Sequence, residues 1–154
     1  MSIAENIKHY QSQMPAQTQL IAVSKTKPIE DLQQAYDAGQ RLFGENKALE
    51  MRDKHEALPK DILWHFIGHL QTNKVKYIVP FVAMIHSVDS LKLLCEINKE
   101  AKKCGRVVDC LLQVDIAHEE TKFGMDDEQI EQLLISETFK ELENVRICGL
   151  MGIG

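Results

Sequence analysis

The chain has 154 residues, 44% of them hydrophobic and 27% charged, with a formal net charge of −5. That length predicts one domain, residues 1–154, with a sizeable buried core, and the composition excludes disorder and collagen-like repeats. No apolar run approaches the roughly 20 residues that a helix needs to cross a bilayer, and an acidic balance argues against duplex nucleic acid as a partner, because phosphate binding is dominated by Lys and Arg. The opening residues Met1-Ser2-Ile3-Ala4-Glu5 lack a signal-peptide hydrophobic stretch. Cys95, Cys104, Cys110 and Cys148 form no Cys-x-x-Cys pair, which fits packing in a reducing compartment better than redox chemistry. The expectation is a soluble cytoplasmic globular protein.

Strand and helix alternate along the chain. Ser2-x-x-Glu5 reads as a capping box, with Ile3, Ile7, Tyr10 and Met14 on one helical face and Pro15 as the stop. A first strand spans Leu20–Val23. Pro28 suits a first helical turn, with Ile29, Leu32, Ala35 and Tyr36 on one face and Gly39 at the C-terminal end. Arg41–Gly44 is a second strand, and Asn46 reads as the N-cap of a helix through Ala48, Met51, His55 and Leu58 that stops at Pro59. Leu63–Ile67 is a third strand, followed by a short helix near Asn73–Val79 and a fourth strand over Ala83–Val88. Asp89 or Ser90 caps a helix that Gly105 closes. Val107–Ile116 holds a fifth strand, 127–135 a helix and Val145–Ile153 a sixth strand.

Repeated strand–helix units mean βαβ connections and a parallel α/β sheet. The strands begin near residues 20, 41, 64, 84, 108 and 146, a compact spacing that suits a TIM-type (β/α)8 barrel. A doubly wound sheet would carry a Gly-rich fingerprint after its first strand, where this chain has Ser24-Lys25-Thr26-Lys27-Pro28. The chain reads as an incomplete barrel of about six strands.

In such a barrel the functional groups gather at the C-terminal ends of the strands. Those ends hold Ser24-Lys25, Glu45-Asn46, His65 to His69, Ser87-Asp89, Gln113 to Asp115 and Met151. Lys25, with Lys27 two residues on, has two readings. Burial and a like charge would favour a neutral amine able to attack a carbonyl; the plainer reading is a solvated basic turn before a helix.

Six ordered motifs favour the amine. Ile21-Ala22-Val23-Ser24-Lys25-Thr26-Lys27-Pro28, Phe43-Gly44-Glu45-Asn46, Trp64 to Lys74, His86-Ser87-Val88-Asp89, Glu119-Glu120-Thr121-Lys122-Phe123-Gly124 and Gly149-Leu150-Met151 occur in turn. Together they resemble the YggS/PROSC family of pyridoxal phosphate homeostasis proteins over nearly the whole chain. The resemblance implies the fold of the alanine racemase N-terminal domain and pyridoxal 5'-phosphate held as an aldimine on Lys25. It implies further cofactor contacts from Asn46, His65 and Met151. Their plainer readings are a helix cap for Asn46, a satisfied core histidine for His65 and core packing for Met151. Lys47 stands where many relatives carry Tyr, and Asp115 where many carry Asn. Relatives continue past the Gly-Leu-Met strand to two further strands that cradle the cofactor phosphate, so the chain reads as C-terminally truncated. The expectation is therefore weak, reversible binding or a self-associated form, although the family is usually monomeric.

The implied function is intracellular homeostasis of the cofactor, as a carrier without turnover, with pyridoxal-phosphate-dependent apo-enzymes as candidate recipients. A racemase needs proton donors on both faces of the substrate carbon, and Tyr10, Tyr36 and Tyr77 all map to helices. The alternative is a pyridoxal-phosphate-dependent amino-acid racemase or lyase; a third reading is a fragment that cannot retain the cofactor. A metal site is disfavoured, because His65 and His69 on a strand would lie about 13 Å apart. Gly149-x-x-Gly152-x-Gly154 precedes no helix and carries little weight as a phosphate loop, and Glu119-Glu120 reads as solvated loop with Lys122 turning back towards the barrel mouth.

Overall fold

A computed structural model describes residues 2–116 and 123–154. Its elements run α1 (Ile3–Ser12), β1 (Ala22–Val23), α2 (Ile29–Asp37), β2 (Leu42–Glu45), α3 (Ala48–Ala57), β3 (Leu63–Phe66), a 3₁₀ turn (Thr72–Tyr77), β4 (Met84–Val88), α4 (Leu91–Lys103), β5 (Val108–Val114), α5 (Asp127–Ile135), α6 (Glu137–Lys140) and β6 (Val145–Gly152). The six strands form one parallel sheet in the order β1-β2-β3-β4-β5-β6. Sequential order with a connection over the same face at each step is the winding of a TIM-type barrel. Among the described residues the sheet stays open, with β1 paired only to β2 and β6 only to β5. Residues 117–122, which include His118, Glu119, Glu120 and Lys122, lie outside the described residues.

Local chemistry explains most element ends. The Ser2 hydroxyl accepts from the Glu5 amide at 3.1 Å and the Ser90 hydroxyl from Leu93 at 3.1 Å, each satisfying an amide that a helix start leaves unpaired. Gly39 and Gly105, at φ +103° and +66°, follow α2 and α4 in the left-handed region that ends helices. Asp126 and Gln129 complete a reciprocal capping box at α5. Three expectations need correction. Lys47, not Asn46, occupies the N-cap position of α3 and makes no side-chain cap bond. Helix α1 ends at Ser12 with Gln13 as its C-cap and the Met14 amide on Gln11 O, directly ahead of Pro15, but Tyr10 of its expected apolar face is 54% exposed and only Ile7 is fully buried. Packing explains Cys110, which is buried, but Cys104 and Cys148 are exposed. The short helix α6, capped by Ser136, carries too little periodicity to be read from sequence.

Period-two alternation divides the strand residues between two faces. One face carries Phe43, Trp64, Phe66, Ile85, Cys110 and Leu112, all buried against Leu32, Met51, Leu94, Ile97 and Ala101 of the helices. The Phe43 and Trp64 rings lie 5.9 Å apart at its centre. The register places Val23, Gly44, His65, Met84, Asp109 and Arg146 in one row across the other face. That inner face carries His65, Asp109 and Arg146, whereas Ser24 and Glu45 fall on the outer one.

Candidate functional site

Three of the four candidate residues take the inner face of the sheet, and the fourth, Lys25, lies in the turn that ends β1. That turn is closed by the Lys27 amide on Ser24 O at 3.1 Å. His65 lies in the row itself and Asn46 two residues beyond Gly44, so alternation turns both inward. Met151 gets there by a register shift. Cys110 pairs with Ile147 but Leu111 with Gly149, so Cys148 is an extra residue in β6. Without it Met151 would face the opposite way; with it Met151 pairs with Gln113 on the inner face, since a one-residue slip exchanges faces.

Lys25 is exposed, and its amine makes no hydrogen bond or ion pair among the described residues. The expected desolvation of this lysine is therefore not what the fold supplies; it supplies instead an open, unencumbered amine on a fixed backbone. Ser24 on one side turns outward and is buried, its hydroxyl donating to Glu45 Oε2 at 2.5 Å. Thr26 on the other side sits at φ +63° and donates its amide to Glu50 Oε2 at 2.8 Å. Left-handed backbone is costly for a β-branched residue, so these partners hold a conformation that Thr26 would otherwise leave.

Asn46 is half-buried, and its position depends on Gly68. A Cβ at Gly68 would lie 2.9 Å from Cα, Cβ and Cγ of Asn46, so only glycine allows this approach. Asn46 then lines a cavity of about 320 Å³ at the strand ends with Ile67, His69, Gln113 and Phe123. The His69 and Phe123 rings stack at 3.7 Å and 8° across it, and His69 Nδ1 lies 3.5 Å from Asp89 Oδ2. Neither this cavity nor a neighbouring one of about 330 Å³ lined by Lys47, Glu50, Gln71 and Lys74 includes Lys25, His65 or Met151.

His65 is buried, with Nδ1 at 2.8 Å from Nε2 of His86. Burial drives its pKa down to about 4, helped by the adjacent His86, whose own pKa burial also lowers. At neutral pH both rings are neutral, one donating and the other accepting. Sequence reasoning noted His86 as a motif member and set it aside as a metal ligand, without joining it to His65; that pairing needs the parallel register of β3 and β4. It also passed over Lys54, whose i, i+4 spacing from Glu50 on α3 was the available signal. Among the described residues no group of three or more His, Cys, Asp or Glu could hold a metal ion.

The chain belongs to the alanine racemase N-terminal domain family, whose model matches residues 1–154. It is 45% identical over 135 residues to the Pyridoxal phosphate homeostasis protein of Aquifex aeolicus, covering 87% of this chain and 58% of that protein. Against the protein of the same name from Synechocystis sp. the figures are 39% over 142 residues, 91% and 64%. The chain thus spans about three-fifths of the length of these curated relatives. Among solved structures it resembles PipY of Synechococcus elongatus PCC7942 without PLP, with a TM-score of 0.92 and 39% identity over 99% of this chain and 71% of that one. The PLP-bound form of PipY gives a TM-score of 0.88 at 38% identity over the same shares. An alanine racemase from Bartonella henselae, at 16% identity and a TM-score of 0.74, shares the fold over 97% of this chain and 42% of that one.

Proposed function

We propose that this chain binds pyridoxal 5'-phosphate through the Lys25 amine and serves to hold the cofactor in reserve, without turnover of its own. The observation that carries the reading is the unencumbered amine of Lys25 in the turn that ends β1, on the sheet whose inner face presents Asn46, His65 and Met151. The PLP-bound structure of PipY supports it, as do relatives named for homeostasis of this cofactor.

The donor set suits such a ligand. Pyridoxal phosphate supplies an electrophilic aldehyde, for which a solvent-reached primary amine is the matching nucleophile. Lys25 provides that amine without a competing carboxylate at hydrogen-bond distance among the described residues. Asn46 offers an amide that can donate or accept beside the ring, and Met151 an adaptable apolar side chain from β6. His65, kept neutral by burial, adds a polar edge without a second positive charge.

The same residues argue against turnover. Exchange of an α-proton needs an acid and a base poised on opposite faces of the substrate carbon. The Tyr36 hydroxyl is committed to Asp61 at 2.6 Å, before β3 and away from the strand ends. Tyr10 lies on α1 and Tyr77 in the 3₁₀ turn. His65 and His86 engage each other. Delivery to pyridoxal-phosphate-dependent apo-enzymes in the reducing cytoplasm, where four free thiols persist, completes the proposal.

The test is reductive trapping. The protein is incubated with pyridoxal phosphate, reduced with borohydride, digested and mapped by mass spectrometry beside Lys25→Ala. A single stoichiometric adduct on Lys25 is expected. Adducts scattered over many lysines would refute specific binding, and α-deuterium exchange on added amino acids would replace the reserve with an enzyme.

A further inference from the structure

Beneath the Lys25 turn lies a buried charge cluster that the binding site itself does not use. Lys54 on α3 and Glu45 on β2 are both buried, at 5% and 0% exposure. An ammonium group has three protons to donate. Lys54 Nζ places them on Ser24 O at 2.7 Å, Glu45 Oε2 at 2.9 Å and Glu50 Oε2 at 2.8 Å. Each carboxylate oxygen reaches on to the Lys25 turn: Glu45 Oε2 accepts from the Ser24 hydroxyl, and Glu50 Oε2 from the Thr26 amide. Both neighbours of Lys25 are therefore held through one ammonium group, one of them in a left-handed conformation.

We propose that Lys54 is the positioning residue for Lys25, fixing through Ser24, Glu45 and Glu50 the direction in which the Lys25 amine is presented to a carbonyl ligand. This rests on the proposed binding at Lys25 and adds what presents that amine.

Three features of the cluster support the assignment. Burial pushes Glu45 upward, a cost that the bonds from Ser24 and Lys54 oppose, and Glu45 Oε1 has no hydrogen-bond partner among the described residues. Burial also pushes Glu50 upward, but the bonds from Lys54 and Thr26 outweigh it and leave it below its ordinary range. The cluster thus depends on Lys54 for its compensation, and a buried ion pair is weak evidence of net stability by itself. Its geometry accounts for the position instead: Ser24 turns outward into the cluster, and Lys25 sits between Ser24 and Thr26 in a turn closed by the Lys27 amide on Ser24 O at 3.1 Å. A turn held on both sides loses little further freedom when its side chain reacts, the usual advantage of a preorganised group.

The experiment compares wild type, Lys54→Met and Glu50→Gln. Amide exchange at Thr26 is measured in the free protein, and the Lys25 share of borohydride-trapped adducts across a pyridoxal phosphate titration. Circular dichroism checks the fold. In folded Lys54→Met, Thr26 exchange rises, and half-saturation of Lys25 shifts up by roughly tenfold, as expected for a misplaced reacting group, while trapping on other lysines is unchanged. Glu50→Gln, which frees only the Thr26 side, gives a smaller shift in the same direction and carries the test if Lys54→Met fails to fold. Wild-type Lys25 trapping and Thr26 exchange in a folded variant overturn the inference alone. A wild-type chain that traps nothing on Lys25 overturns the binding proposal and this inference together.

Discussion

The buried His65–His86 pair makes stability depend on pH in a way that one substitution isolates. His65 takes a proton in the unfolded chain near its ordinary 6.5, but only at about 4 in the folded one. The native state therefore refuses a proton that the unfolded state accepts. This contribution is fully present above about pH 6.5 and is lost as pH falls towards 4. Linkage at one pKa unit per 1.36 kcal/mol gives a loss of about 2 kcal/mol by pH 5, approaching about 3 kcal/mol below pH 4. In a chain this long, 2 kcal/mol corresponds to a fall in Tm of about 4–8 °C. The partner substitution is His65→Asn, which keeps a polar atom near the Nδ1 position facing His86 but does not titrate. Urea unfolding at pH 7, 6 and 5 gives two curves whose carboxylate contributions cancel in the difference. Wild type is expected to lose about 2 kcal/mol more than His65→Asn between pH 7 and 5. Parallel curves would show that His65 is solvated or already protonated in the fold, and would refute the neutral pair.

Three further expectations follow from packing and exposure. Gly68→Ala drives a methyl group into the Asn46 backbone and side chain; overpacking of this kind costs about 1–3 kcal/mol in denaturant unfolding, and an unchanged midpoint would show that Asn46 yields freely. Trp64→Ala empties the centre of the outer core and is expected to cost about 3–5 kcal/mol, read as a lowered urea midpoint at unchanged slope. Because Lys25 is exposed, Lys25→Ala should alter stability by less than about 0.5 kcal/mol while abolishing the specific adduct; a marked loss of stability would assign Lys25 a structural part instead.

The order and class of the elements were legible in the sequence because their signals are local. Apolar runs near residues 20, 41, 64, 84, 108 and 146, separated by amphipathic stretches, are enough to specify a parallel α/β sheet. Ser2, Ser90, Gly39 and Gly105 mark helix ends through chemistry confined to a turn. Asn46 was misread because Asn is a good cap residue anywhere, while here the close approach of Gly68 engages it and the helix starts two residues later.

The candidate residues Lys25, Asn46, His65 and Met151 could be picked out by their places at strand ends, but their relation could not. Which face each side chain takes depends on register, and register depends on neighbouring strands far away in sequence. The extra residue at Cys148 that turns Met151 inward, the His65–His86 contact and the hold of Lys54 on both neighbours of Lys25 all join separate βαβ units. Local periodicity and turn chemistry therefore determined what the elements are and where a site would gather. Only the packed sheet decided which side chains meet there, because burial, close approach and charge compensation act across strands rather than along them.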